Sequence, residues 1–346
     1  MNSRSLSAVD SGSFRDRDGR IYRNGDRIIR GISAGALAEF KKLETTAFYN
    51  RFLKDGLLVG REFLSAEDVG LPQELVQQWA GFIEHRRIPV ISYPYEWTFG
   101  MLRDAALLQL DLLEAAIGEE MTLKDATPYN IQFDAGKPVF IDIASFETLP
   151  AGAPWAGYRQ FCEMFLFPLM LQAYKGIHFQ PLMRSCIDGI GVRTAAKLFG
   201  FRDRLRSGVL THVWLQAKLD SRYGGTQKNV RADLKRAGFN KELILANIRK
   251  LGKLIRKLSW QGEGSEWGGY EAFHNYSESD HELKEAFVDG SVASSKAETV
   301  WDIGCNTGQF SKIAARHAGN VLAMDLDHFA VERLYRETRE TGVKNI

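Results

Sequence analysis

Apolar positions recur along the chain at two spacings, and these predict its elements. From Ala34 to about Lys54, Leu37, Phe40, Leu43, Phe48 and Phe52 supply one helical face. A longer helix is predicted from Thr98 to Ile117, where Leu102, Ala106, Leu110, Leu113 and Ile117 recur every three or four residues. Residues 155–218 read as mostly helical, with Phe161, Met164, Phe165, Phe167 and Met170 as core because nothing polar converges with them. Ile244, Ile248, Leu251, Ile255 and Leu258 form another helical stripe. Strand patterns lie between these helices. Arg20–Ile29 reads as a hairpin about Asn24-Gly25, a pair that suits a type I′ turn because both residues tolerate positive φ. Pro89–Tyr93 reads as a short strand. Asn130–Phe133 and Pro138–Ile143 read as a second hairpin about an Asp134–Lys137 turn.

The chain has 346 residues and a formal charge of +2, which gives no global reason to expect nucleic acid or an anionic membrane as partner. Hydrophobic residues make up 45%, the balance of a globular chain. The polar N-terminus lacks an apolar signal core, and no apolar run is long enough to span a bilayer. Cys162, Cys186 and Cys305 form no CxxC pair, so a reducing, cytoplasmic setting is the simpler expectation. One stretch is locally basic: eleven Lys/Arg against two acidic residues between Ser221 and Trp260. It reads either as an anionic or nucleic-acid surface or as an amphipathic helix packed on the protein with a solvated basic face. Sparse aromatics favour the second.

The most informative segment runs from Thr299 to Gln309. A short strand leads into Asp302-Ile-Gly304-Cys305-Asn306-Thr-Gly308, and a helix follows to about His317. A second strand, Asn320–Met324, ends at Asp325, and another helix begins near Ala330. Glycine at 304 and 308 removes side chains where a ligand must approach backbone and where helix and strand pack closely. Asp325 stands where a carboxylate accepts hydrogen bonds from both ribose hydroxyls of a nucleotide cofactor. A dinucleotide turn wants three glycines, but Asn306 and Gln309 occupy two of those positions. Asp302 suits a sulfonium cation better than a pyrophosphate.

This block resembles motif I of class I S-adenosylmethionine-dependent methyltransferases. That resemblance implies that Asp302, Gly304, Cys305, Asn306 and Gly308 line S-adenosylmethionine and that Asp325 binds its ribose. Beyond this block, Pro89–Trp97, Leu123–Phe133, Tyr158–Cys162 and His178–Gly189 resemble a bacterial family of methyltransferase proteins similar to nodulation protein NoeA, from about residue 14 onward. The implied activity is methyl transfer to an unidentified acceptor. Upstream, Glu266–Tyr270 and His274–Ser277 read either as a loop closing over the cofactor, with Tyr276 packed on it, or as an ordinary aromatic loop. His274 and His281 have no third ligand nearby, so no metal is expected. A class I domain needs further strands after Asp325, and Ile346 comes only 21 positions later, so the expectation is a C-terminally truncated domain with no catalytic base to name.

A second constellation lies in the first half. Asp125, Asn130 and Asp142 resemble the catalytic loop and metal-binding aspartate of the protein-kinase and aminoglycoside-phosphotransferase superfamily. Lys124 and Leu123 depart from the usual loop, Asp142-Ile-Ala lacks a glycine, and no glycine-rich phosphate loop is evident. No strand lysine pairs with a helix glutamate, since Lys41, Lys42 and Glu44 share one helix. Three readings stay open: an active magnesium-dependent phosphotransferase, a kinase-like fold kept for binding, and coincidence in which Asp125 caps a turn. The chain is thus expected to be α/β. Residues 1–18 form a flexible N-terminus, 19–150 an α+β domain with kinase-like features, and 151–220 a helical region. Residues 221–260 form a basic linker and helix, and 261–346 the start of a Rossmann-like domain. The rivals to methyl transfer are phosphoryl transfer and a non-catalytic binding or scaffold role.

Overall fold

The computed structural model describes residues 8–16, 18–150, 152, 154–223, 241–262 and 278–346. Strand β1 (Ala8–Val9) pairs with β2 (Gly19–Asn24), and a short 3₁₀ turn, Ser11–Arg15, follows it. β2 and β3 (Arg27–Ile32) form the expected hairpin, but the register pairs Asn24 with Arg27. The turn is therefore Gly25-Asp26, and of the two only Gly25 has positive φ. β4 (Arg61–Leu64) and β5 (Gly81–His85) complete an antiparallel sheet of order β1-β2-β3-β5-β4.

The helix expected over 34–54 is two: α1 (Ala34–Glu44) and α2 (Ala47–Lys54). The hydroxyls of Thr45 and Thr46 donate back to the carbonyls of Lys42 and Leu43, closing α1. The carboxylate of Glu119 then accepts from the amides of Ala47 (2.7 Å) and Phe48 (2.8 Å), starting α2. After the short α3 (Gln73–Val76), the predicted strand Pro89–Tyr93 does not form. Pro89 and Pro94 carry no N–H, and the Gln132 side-chain amide exchanges hydrogen bonds of 2.8 and 3.0 Å with the Ser92 backbone, replacing a partner strand.

α4 (Phe99–Gly118) fulfils the long-helix expectation, with Thr98 as its N-cap and most of its apolar stripe fully buried. β6 (Met121–Leu123) pairs with β9 (Phe146–Thr148). β7 (Ile131–Asp134) and β8 (Lys137–Phe140) form the second predicted hairpin, turning at Ala135 and Gly136, both at positive φ. The helical middle comprises α5 (Tyr158–Phe161), α6 (Phe167–Lys175), α7 (Phe179–Ser185), α8 (Val192–Leu198) and α9 (Gln216–Tyr223). Phe161, Met164, Phe165, Phe167 and Met170 are core, as expected.

Residues 224–240 lie outside the described residues, but the basic stretch ends in α10 (Lys241–Lys257), whose Ile/Leu stripe is buried against α4. Arg249 and Arg256 pair with Glu114 and Asp111 of α4. This is the packed amphipathic helix, with part of its basic face neutralised by ion pairs. Among the described residues, no helix is long and apolar enough to cross a membrane.

α11 (Glu278–Ser295) precedes a β-α-β unit: β10 (Thr299–Ile303), α12 (Gln309–Ala314) and β11 (Asn320–Met324), then α13 (His328–Thr341). The strands are parallel, with Ile303 opposite Met324. α13 docks this unit on α4. Buried Glu332 accepts from the Gly100 amide (2.7 Å) and from Arg336 (2.7 Å), and Tyr335 donates to Asp104 (2.8 Å). The architecture is mixed α/β.

Candidate cofactor site and carboxylate cleft

The parallel register brings the ends of β10 and β11 together, and the glycine turn is tied across them. The amides of Gly304 and Cys305 both donate to the Met324 carbonyl, at 2.8 and 3.0 Å. Gly304, Asn306 and Gly308 all take positive φ, at 84°, 49° and 81°. A Cβ on Gly308 would stand 2.4 Å from Leu334 of α13, so glycine there meets both a steric and a conformational demand. At Gly304 nothing lies within 4 Å of a notional Cβ, and the backbone faces open space.

Asp325 closes the turn from the other strand. One carboxylate oxygen accepts from the Asn306 amide (2.8 Å) and the other from the Asp327 amide (2.9 Å). Asp327 in turn caps α13 through the amides of Phe329 and Ala330. Asp302 accepts a 2.5 Å hydrogen bond from the hydroxyl of wholly buried Ser311. Gln309 donates to Glu285 of α11 (2.6 Å) and meets His281. None of Asp302, Asp325 and Asp327 is in an ion pair among the described residues. Their joint field suits a cationic ligand and opposes a pyrophosphate. The side-chain oxygen of Asn306 is buried without a partner. The Glu266–Tyr270 and His274–Ser277 loop, with His274 and Tyr276, lies outside the described residues.

Cys305 is buried, and its thiol is pushed up to about 12 by burial first and then by Asp302 and Asp325. It lines the site as a neutral group rather than a nucleophile. Cys162 is likewise pushed up to about 12 by burial, whereas Cys186 is exposed. At neutral pH a thiol reagent should therefore modify Cys186 rapidly and leave the other two until unfolding. Rapid loss of all three thiols would contradict the burial of the turn.

The second constellation sits under the five-stranded sheet. Asp125 follows β6, and its carboxyl is raised by desolvation first and then by the charge of Asp142. Asn130 ends a short 3₁₀ turn capped by Thr127, and its side-chain nitrogen is buried without a partner. Asp142 is held by Arg30 of β3 at 3.1 Å, and Arg30 also reaches Asp16 at 3.6 Å. A cavity of about 320 Å³ lies beside them, lined among others by Asp18, Arg30, Glu39 and Lys124. His85 on β5 is buried with neither ring nitrogen partnered, and its pKa falls to about 3 through burial, Arg30 and Arg61. Arg61 of β4 pairs with Glu44 at the end of α1. Arg30, Arg61, Ser311 and Asp327 were not singled out from sequence. Arg30, Arg61 and Ser311 meet their partners only through tertiary packing, and no spacing signals them, whereas Asp327 carries a local signal as an aspartate just before a helix.

No family model matches the chain. Across 334 residues it is 32% identical to nodulation protein NoeA of Rhizobium meliloti (strain 1021), covering 96% of this chain and 69% of that protein. The chain belongs to the NoeA family. With so much of the chain aligned, the NoeA likeness extends through the carboxylate cleft as well as the glycine turn. Among solved structures, vaccinia related kinase 3 is similar with a TM-score of 0.33 and 11% identity, over 72% of this chain and 87% of that one. That likeness is too slight to define either a fold or an activity.

Proposed function

We propose that this NoeA-family chain is a class I S-adenosylmethionine-dependent methyltransferase acting on an acceptor yet to be identified. The observation that carries the reading is the turn itself. Asp325 is fixed at a parallel strand end beside an open Gly304, with three carboxylates and, among the described residues, no cation paired to them. The residues present fit the cofactor. Asp325 has lone pairs left for ribose hydroxyls, Asn306 offers an orphaned buried oxygen, and Asp302 supplies negative charge. When bound, S-adenosylmethionine supplies an electrophilic methyl group on a sulfonium. The chain's own part is to orient it: backbone at Gly304 and Gly308 admits the ligand closely, and Asp325 fixes its rotation.

A second reading, a magnesium-dependent phosphotransferase, is favoured by one observation: the side-chain nitrogen of Asn130, in the loop that Asp125 opens, is buried without a partner. Calorimetric titration of the full chain with S-adenosylhomocysteine, beside ATP with magnesium, separates the two. The methyltransferase reading expects micromolar binding of S-adenosylhomocysteine. Binding of ATP instead, lost in Asp142→Ala, moves the activity to the cleft. Binding of neither by folded protein leaves a scaffold role.

A further inference from the structure

Residues 193–222 carry seven Lys/Arg against two Asp. Both aspartates are neutralised internally, Asp203 by Lys175 and Arg206, and Asp220 by Arg159 and Arg193. Lys197, Arg202 and Lys218 are exposed and form no ion pair among the described residues. Amid these cations a short 3₁₀ helix, Phe201–Leu205, projects two large apolar side chains, with Phe201 77% and Leu205 95% exposed. Leu210, Leu215 and Leu219 on the helix that follows are about half exposed. The two elements are joined by Arg204, whose guanidinium lies 3.8 Å from the Trp214 ring centre and 4.7 Å from that of Phe201.

We propose that this apolar knob inserts into the interfacial layer of an anionic phospholipid bilayer and holds the chain peripherally on its surface. Charge complementarity selects the occupant. Arg202 adjoins Phe201 and Lys218 adjoins Leu219 along the chain, neither in an ion pair among the described residues, the arrangement in which headgroup phosphates meet the cations while Phe201 and Leu205 reach the acyl boundary. The shape agrees: side chains this exposed protrude, and a rigid protein partner would need a matching pocket where a bilayer yields to any form. Nucleic acid fits less well, because Trp214 lies beneath Arg204 and is not free to stack on bases.

The test is flotation of the full chain with vesicles of phosphatidylcholine alone or mixed with phosphatidylglycerol, at low and high salt. Binding is expected only to the mixed vesicles and is weakened by salt. Phe201→Ser/Leu205→Ser should reduce partitioning by roughly tenfold or more. Arg202→Glu should reduce it by roughly tenfold. All three changes are at exposed positions, and circular dichroism matching the parent shows that the variants fold. No flotation, equal flotation on neutral vesicles, or flotation unchanged in the variants would each overturn the proposal. So would self-association by gel filtration that the double variant abolishes, since the knob would then be a contact between copies of the chain.

Discussion

Glu332→Ala is expected to destabilise the folded chain by about 3 kcal/mol or more, the largest effect of any single change at the junction of the two halves. Glu332 is 1% exposed, and its carboxylate serves the second residue of α4, where an amide has no helical partner. Thr98 already takes the amide of Met101, so Gly100 depends on Glu332. The same carboxylate holds Arg336, which also donates to the Trp260 carbonyl at 2.9 Å. Truncation therefore leaves a buried donor without an acceptor and takes the carboxylate from Arg336, which keeps only the Trp260 carbonyl. Glu332→Gln keeps one acceptor and should cost about 1 kcal/mol. Urea unfolding of the full chain measures both. A loss under 1 kcal/mol in Glu332→Ala would show that α13 is not anchored through this contact.

Asp325→Ala should weaken S-adenosylhomocysteine binding on the order of a hundredfold, because hydrogen bonds to an ionised carboxylate contribute about 1.5–3 kcal/mol each. Part of the loss acts through the protein, since the amides of Asn306 and Asp327 lose their acceptor. Asp325→Asn separates the two contributions. It keeps one of the two acceptors that the turn uses but removes the charge, and should cost less stability than Asp325→Ala while still losing most of the affinity. Unfolding curves and titrations of both variants check this. Unchanged affinity in Asp325→Ala would remove ribose recognition from this strand end.

The long helices were legible because burial imposes a period on the sequence. The Leu102–Ile117 stripe of α4 and the Ile244–Ile255 stripe of α10 are both buried as that period requires, with Leu258 buried just past the end of α10. The glycine turn was legible for a different reason: positive φ at 304 and 308 restricts the residue type. Strands β4 and β5 escaped notice because neither alternates cleanly; Phe82 and Ile83 are buried side by side. The split between α1 and α2 was hidden because Glu119, 72 positions from Ala47, supplies the new helix start. The expected strand at Pro89–Tyr93 failed because a glutamine side chain, not a strand, meets its backbone. At the candidate site the backbone turn was readable, whereas its supports were not. Ser311 under Asp302, Leu334 against Gly308 and Arg30 on Asp142 are contacts between elements, and nothing in local spacing encodes them.

Amide chemical shifts tell whether the Gly304–Gly308 turn and Asp325 hold the proposed cofactor. On titration of the isotopically labelled chain with S-adenosylhomocysteine, the account predicts that the amide signals of Gly304, Asn306 and Asp327 move together and saturate at one affinity. Shifts confined to Arg30, Asp125 and Asp142, or no shifts in a folded chain, would contradict it.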